Sequence, residues 1–169
     1  MKKSAIEQHF IEIYEKNADA IFRYCYYRVF EREIARELSQ EAFMRAWQYI
    51  VDGKQVQNFR ALIYQIARNL IYDHHNKKKN IYDDQSIMEM TIADPTDYQE
   101  KAHFNIEKNK LLEQIKKLSP EYQEVIIMRF IEGLGPREIA KIIGVSANLI
   151  SVRINRAKQQ LLEFYENDK

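Results

Sequence analysis

The sequence predicts an all-α protein: two small helical domains joined by a flexible acidic linker, the second domain carrying a helix-turn-helix. Three observations predict this. Apolar residues recur at three- and four-residue spacing over most of the chain. Glycine (4) and proline (3) are scarce among 169 residues, whereas all-β folds need many turns built from those residues. One stretch, Asn76 to Thr96, drops the apolar spacing and turns polar and acidic. The length suits one ordinary domain or two small ones. Residues 1–77 are read as the first domain, 78–97 as the linker and 98–169 as the second domain.

Ile6, Phe10, Ile13 and Tyr14 open a first helix, and a second is expected from about Asp19 to Phe30. A third runs from about Glu33 to Val51, stopped by Asp52-Gly53. Leu38, Ala42, Phe43, Ala46, Trp47 and Ile50 form its apolar stripe, with Trp47 read as core. Glu37, Gln40, Glu41, Met44 and Gln48 fall on its opposite face. A fourth helix follows the Gln55–Asn58 loop and runs from Phe59 to about His75. Beyond the linker, helical spacing resumes near Tyr98 and continues to Leu118. Ser119-Pro120-Glu121 is a helix start, with Ser as cap and Pro at the first position; that helix ends at Glu132-Gly133. A short helix from Gly135-Pro136 to Ile143, a Gly144-Val145-Ser146 turn and a last helix from Ala147 to about Glu166 complete the chain.

The formal net charge is only +1, but the charges are segregated. Residues 81–107 carry a net −6, residues 137–158 a net +4 and residues 68–79 a net +3. Two cationic segments therefore flank an acidic one. No stretch approaches the roughly 20 apolar residues that span a bilayer. The start, MKKSAIEQHF, has no apolar signal core, so membrane insertion is not expected and a cytoplasmic location is. Cys25 is the only cysteine, which excludes an internal disulfide; its aromatic helical setting reads as core rather than redox. His9, His74, His75 and His103 have no partners at metal-ligand spacing. There is no glycine-rich phosphate loop and no nucleophile motif, so neither a metal, a cofactor nor catalysis is expected.

The strongest local chemistry is PREIAKIIGVSANLISVRINRAK, Pro136–Lys158. A helix-turn-helix needs a short first helix, a turn of three or four residues and a second helix free to enter the major groove. Ile139, Ala140 and Ile143 are expected to face inward, Gly144 to take the left-handed conformation that ends the helix, and Ser146 to cap the next. Ile150, Ile154, Ala157 and Leu161 would be buried. Asn148, Ser151, Val152, Arg153, Asn155 and Arg156 would face outward with groups suited to base edges and phosphates. A plain helical hairpin with a solvated basic face is the bland alternative.

The N-terminal half narrows the choice. ELSQEAFMRAWQYI (Glu37–Ile50) and FRALIYQIARNLIYDHHNKKK (Phe59–Lys79) resemble successive parts of conserved region 2 of extracytoplasmic-function (ECF) sigma factors of bacterial RNA polymerase. EYQEVIIMRFIEGLGPREIAKIIGVSANLISVRINRAKQQL (Glu121–Leu161) resembles region 4. The resemblance runs from about Ile21 to Leu161, in the right order and spacing.

It implies a sigma factor that binds core polymerase, through the β′ coiled coil and the β flap, and directs promoter-specific initiation. Glu37, Gln40 and Glu41, with Arg45 at their edge, would dock on the coiled coil. The −10 element would be read as melted single strand by Phe59, Arg60, Tyr64, Arg68, Asn69, Tyr72, Asp73 and Lys77, a cationic track with planes for unstacked bases. The −35 duplex would be read by the outward residues above together with Arg137, Ser146 and Lys158. An anti-sigma protein is an expected partner.

The chain departs from the family pattern at Leu62, where Trp is common, at Gly135, where a Ser cap is usual, and at Leu149 and Ser151 in the recognition helix; these bear on promoter sequence. The free chain is expected to bind promoter DNA poorly until polymerase holds both domains at the right separation. A free-standing helix-turn-helix regulator would leave the N-terminal motifs unexplained. A purely protein-binding module would leave the basic helix without purpose.

Overall fold

The structure, a computed structural model, describes residues 2–84 and 102–169. Three long helices form an N-terminal block: α1 (Lys2–Val29), α2 (Arg32–Val51) and α3 (Phe59–Asp84). The C-terminal block comprises α4 (Ala102–Lys117), α5 (Pro120–Ile126), a π-helical turn (Ile127–Ile131), α6 (Pro136–Ile143) and α7 (Ala147–Asn167). Most of the expected linker, and the expected helix start near Tyr98, lie outside the described residues.

Apolar spacing divides the first 30 residues into two helices; the structure makes them one. Asn17 Nδ2 donates to the Ile13 carbonyl at 2.8 Å, so this side chain bonds back to the preceding turn instead of capping a new helix. The chain reverses at Phe30, a non-glycine residue at φ +57°. The left-handed conformation costs about 1–2 kcal/mol there. Packing holds it: the Lys116 ammonium lies 4.4 Å from the Phe30 ring centroid.

Asn58 caps α3, its Oδ1 accepting from the Ala61 N–H at 3.0 Å. The helix then runs past His75, where apolar spacing ends, to Asp84. Lys78 Nζ meets Glu31 Oε1 at 2.5 Å, an attachment that apolar periodicity could not reveal.

Ile21, Tyr24 and Cys25 of α1 meet Ile63, Tyr64, Ala67 and Ile71 of α3 in the N-terminal core. Ala35, Ala42 and Ala46 let α2 approach closely, all fully buried. Trp47 is half-buried against Phe10, ring centroids 5.0 Å apart. Burial pushes the Cys25 thiol up to about 12, which makes it an inert core group at neutral pH.

In the C-terminal block, Ser119 stands at the N-cap of α5 with Pro120 at the first position, but the Ser119 hydroxyl makes no capping bond. The expected single helix to Glu132 changes pitch: the Glu132 N–H bonds the Ile127 carbonyl, five residues back, at 3.0 Å. Val125, Ile127, Met128, Leu134, Ile139 and Ile150 form the core. The two blocks pack together, α3 against α6 and α1 against the π turn.

Candidate nucleic-acid interface

The helix-turn-helix forms as its local chemistry dictates. Gly135 has no side chain to cap with, but its N–H donates to Glu138 Oε2 at 2.8 Å, half of a capping box. Gly144 sits at φ +83°, and its N–H closes α6 on the Ala140 carbonyl at 2.8 Å. Ser146 Oγ accepts from the Leu149 N–H at 3.1 Å and so caps α7. Ile139, Ala140 and Ile142 face the core of α6; Ile143, expected inward, is half-buried on the flank. On α7 the buried side is Ile150, Ile154 and Ala157, with Leu161 partly covered.

That burial leaves Asn148, Asn155, Arg156 and Lys158 exposed on α7, with Arg137 and Ser146 exposed nearby. Ser151, Val152 and Arg153 are half-buried. Ser151 Oγ donates to the Ala147 carbonyl at 3.2 Å, which leaves its lone pairs to accept from the amino group of a base. Arg153 lines a cleft between the blocks with Arg68, Tyr72, Ser119, Glu121 and Val145.

The second cationic helix is differently placed. The eight α3 residues singled out from sequence divide between two stripes, with Phe59 apart, half-buried beside the His9 ring at 5.6 Å. Asn69, Asp73 and Lys77, four apart, are exposed. Arg60, Tyr64, Arg68 and Tyr72, also four apart, turn toward the C-terminal block. Arg60 Nη1 is 3.7 Å from Glu138. Tyr64 is not a plane open to a base: it is fully buried edge-on to Tyr24, and its hydroxyl donates to Glu132 Oε2 at 3.1 Å. Burial beside that carboxylate pushes the Tyr64 phenol up. Arg68 Nε donates to Glu124, and the Tyr72 hydroxyl donates to the same carboxylate at 3.2 Å. Burial pulls the Arg68 guanidinium down, but its hydrogen bond and charge contact with Glu124 outweigh that and hold it above its ordinary value.

Sequence reasoning missed both acids and their fourth partner, Arg23. Glu124 is fully buried, and the Glu132 side chain is equally so. Arg23 of α1 forks onto Glu132, Nε to Oε1 and Nη2 to Oε2, both at 2.8 Å. The signal was present: acids inside the apolar run around Val125–Met128 demand cationic partners wherever that helix is buried.

The group expected from sequence to meet the polymerase lies elsewhere. Glu37, Gln40 and Arg45 are exposed on α2, Glu41 is half-buried, and Arg45 Nε holds Glu41 Oε1 at 2.8 Å. Among the described residues, no group of three or more His, Cys, Asp or Glu could hold a metal ion, and no helix is long and apolar enough to cross a membrane.

A helical N-terminal block followed by a capped helix-turn-helix, each bearing a cationic helix, defines a two-part DNA-binding protein. Family models place it further: residues 13–81 match sigma-70 region 2 and residues 108–161 match sigma-70 region 4. The chain is 30% identical to the ECF RNA polymerase sigma factor BldN of Streptomyces coelicolor, covering 94% of this chain and 61% of that protein. It is 28% identical to the ECF RNA polymerase sigma factor SigW of Bacillus subtilis, covering 94% of this chain and 90% of that protein. The fold is similar to that of the sigma factor RpoE solved in complex with the anti-sigma factor NepR from Bartonella quintana, at TM-score 0.75 and 21% identity, covering 96% and 99% of the two chains. It is also similar to CnrH solved with the cytosolic domain of CnrY, at TM-score 0.72 and 20% identity, covering 96% and 91%. The chain belongs to the sigma-70 family, as a sigma factor of the ECF type.

Proposed function

We propose that this chain binds core RNA polymerase and directs it to promoters, without catalysing a reaction itself. The helix-turn-helix reads the upstream element as duplex, with Asn148, Ser151, Arg153, Asn155 and Arg156 toward the major groove and Arg137 and Lys158 on phosphates. Residues of α3 read the downstream element as melted strand: Arg60, Arg68 and Lys77 follow the backbone, and Phe59 and Tyr72 offer planes to unstacked bases. The outward face of α2 at Glu37, Gln40, Glu41 and Arg45 meets the polymerase. An anti-sigma protein is a further partner, a reading supported by the sigma factor RpoE having been solved with the anti-sigma factor NepR.

The observation that carries this reading is the pairing of two cationic readers on one short chain. One is a capped recognition helix with exposed amide and guanidinium groups; the other is an arginine- and tyrosine-bearing helix in the preceding block. Transcription in vitro tests it. Purified chain and core polymerase on fragmented host DNA should yield discrete 5′ ends sharing two upstream elements at fixed spacing. No new starts, together with no binding to core enzyme, would overturn it.

A further inference from the structure

The outward face of α7 is polar at its flanks and apolar at its middle. Ile150, Ile154 and Ala157 are buried and Leu161 is partly covered, which fixes the inward direction. Counted from that stripe at about 100° per residue, Val152 points almost straight away from the core. Asn148, Asn155 and Arg156 are exposed and lie within about 60° of it around the axis. Leu149, three residues before Val152 and so its neighbour on the helix surface, is 39% exposed. Side chains on a helix lean toward its N-terminus, so Val152 leans over the turn that carries Leu149. The capping bond from the Leu149 N–H to Ser146 Oγ places Leu149 in the first turn of α7. The N-terminal residues of a recognition helix are the ones that meet base edges.

Folding gives these two residues no reason to be apolar. Leu149 stands in solvent, and Val152, half-buried, is not one of the side chains packed against the core. Valine is also a poor helix former, because branching at Cβ restricts its rotamers. A single exposed leucine is ordinary on any protein surface. Two apolar side chains on one ridge, set among Asn148, Asn155 and Arg156, make a composite surface with amide and guanidinium donors around a hydrocarbon centre. The hydrocarbon has one match in the major groove: the C5-methyl of thymine, the one methyl group that a base pair presents there. The flanking asparagines suit the N6 and N7 edge of adenine.

We infer that Val152, with Leu149 beside it, reads a thymine methyl group in the upstream element. The inference rests on α7 being the duplex reader. The contact needs no hydrogen bond. It disfavours cytosine, which carries only a hydrogen where thymine carries the methyl. An element read in this way holds a thymine at a fixed position.

The test uses the full chain with core polymerase and a promoter found by the transcription experiment above. Each thymine of the upstream element, on either strand, is replaced singly by deoxyuridine, which pairs identically and lacks only the methyl. At one position, or at two adjacent ones, promoter binding should fall about fourfold, the effect of losing one buried methyl. The Leu149→Ala, Val152→Ala double variant keeps the helix, since alanine favours it. It should bind the thymine promoter more weakly than wild type and should bind the thymine and deoxyuridine promoters equally. Each protein is compared with itself on two DNAs, so a general loss of structure cancels. A wild-type chain indifferent to every deoxyuridine would overturn the methyl contact, as would a deoxyuridine effect undiminished in the double variant. An upstream element that can be scrambled whole without loss of binding would instead sink the reading of α7 as the duplex reader. Sensitivity to the scramble, without sensitivity to any missing methyl, sinks the methyl contact alone.

Discussion

On α7, Asn148, Asn155, Arg156 and Lys158 stand in solvent, and no carboxylate is paired with them among the described residues. On α3, Arg60, Tyr64, Arg68 and Tyr72 all face acids of the other block. Both helices are cationic and both carry groups suited to nucleic acid. The difference lies in what each needs in order to fold. α7 is completed by its own block, through Ile150, Ile154 and Ala157, and its outer face is left over. The inward stripe of α3 is completed by residues from the far end of the chain. A helix whose polar face is surplus to packing presents it to solvent; one whose polar face is used in packing has it covered.

The largest expected effect breaks the open side. Ile150→Ala removes a fully buried side chain that joins α7 to its block and should cost about 2–5 kcal/mol, read as the urea midpoint of unfolding. A change within experimental error would mean that α7 is not held by this core. Next, Arg153→Ala with Arg156→Ala should weaken upstream-element binding by about 1–3 kcal/mol for each base that goes unread, with binding to core polymerase unchanged. Equal loss of both activities would show that these residues shape the fold and do not read DNA. Glu37→Lys with Glu41→Lys should do the reverse, lowering affinity for core polymerase about tenfold or more while promoter-duplex binding by α7 stays the same. Ser146→Ala removes the α7 cap and should cost about 1 kcal/mol in thermal unfolding.

The smallest effect sharpens the covered side. Burial lowers the folded-state value of His75, helped by the neighbouring Arg28 and His74 charges; burial and the Lys78 charge lower that of His74. A lowered imidazole value favours the neutral form in the folded chain. Its contribution to stability is therefore full above the unfolded value of about 6.5 and is lost as pH falls below it. Melting temperature should decline between about pH 7 and pH 5, and His75→Gln should flatten that slope. An unchanged slope would remove His75 from the account.

The helix-turn-helix was legible almost residue by residue. Gly144, Ser146, Ile150 and Ala157 act within a turn or two of where they stand, so spacing and turn chemistry suffice to place them. The continuity of α1 was misjudged because a residue such as Asn17 can cap a helix or bond back into one, and only packing selects between these. The end of α3 was misjudged because Lys78 is held by Glu31, 47 positions away, and leaves no apolar period behind it. Tyr64, read from sequence as a base plane, is a core residue because its ring packs on Tyr24 and its hydroxyl is taken by Glu132, partners that spacing along α3 does not show.

By itself, then, the sequence determined the helical class, the two cationic helices and the polar face of α2, because each is written in neighbours three or four residues apart. Only the tertiary structure decided that the polar face of α7 is open and the inward stripe of α3 is covered. The deciding contacts, Arg68 to Glu124 and Arg23 to Glu132, span 56 and 109 positions, and a buried carboxylate names the charge of its partner but not the partner's place in the chain.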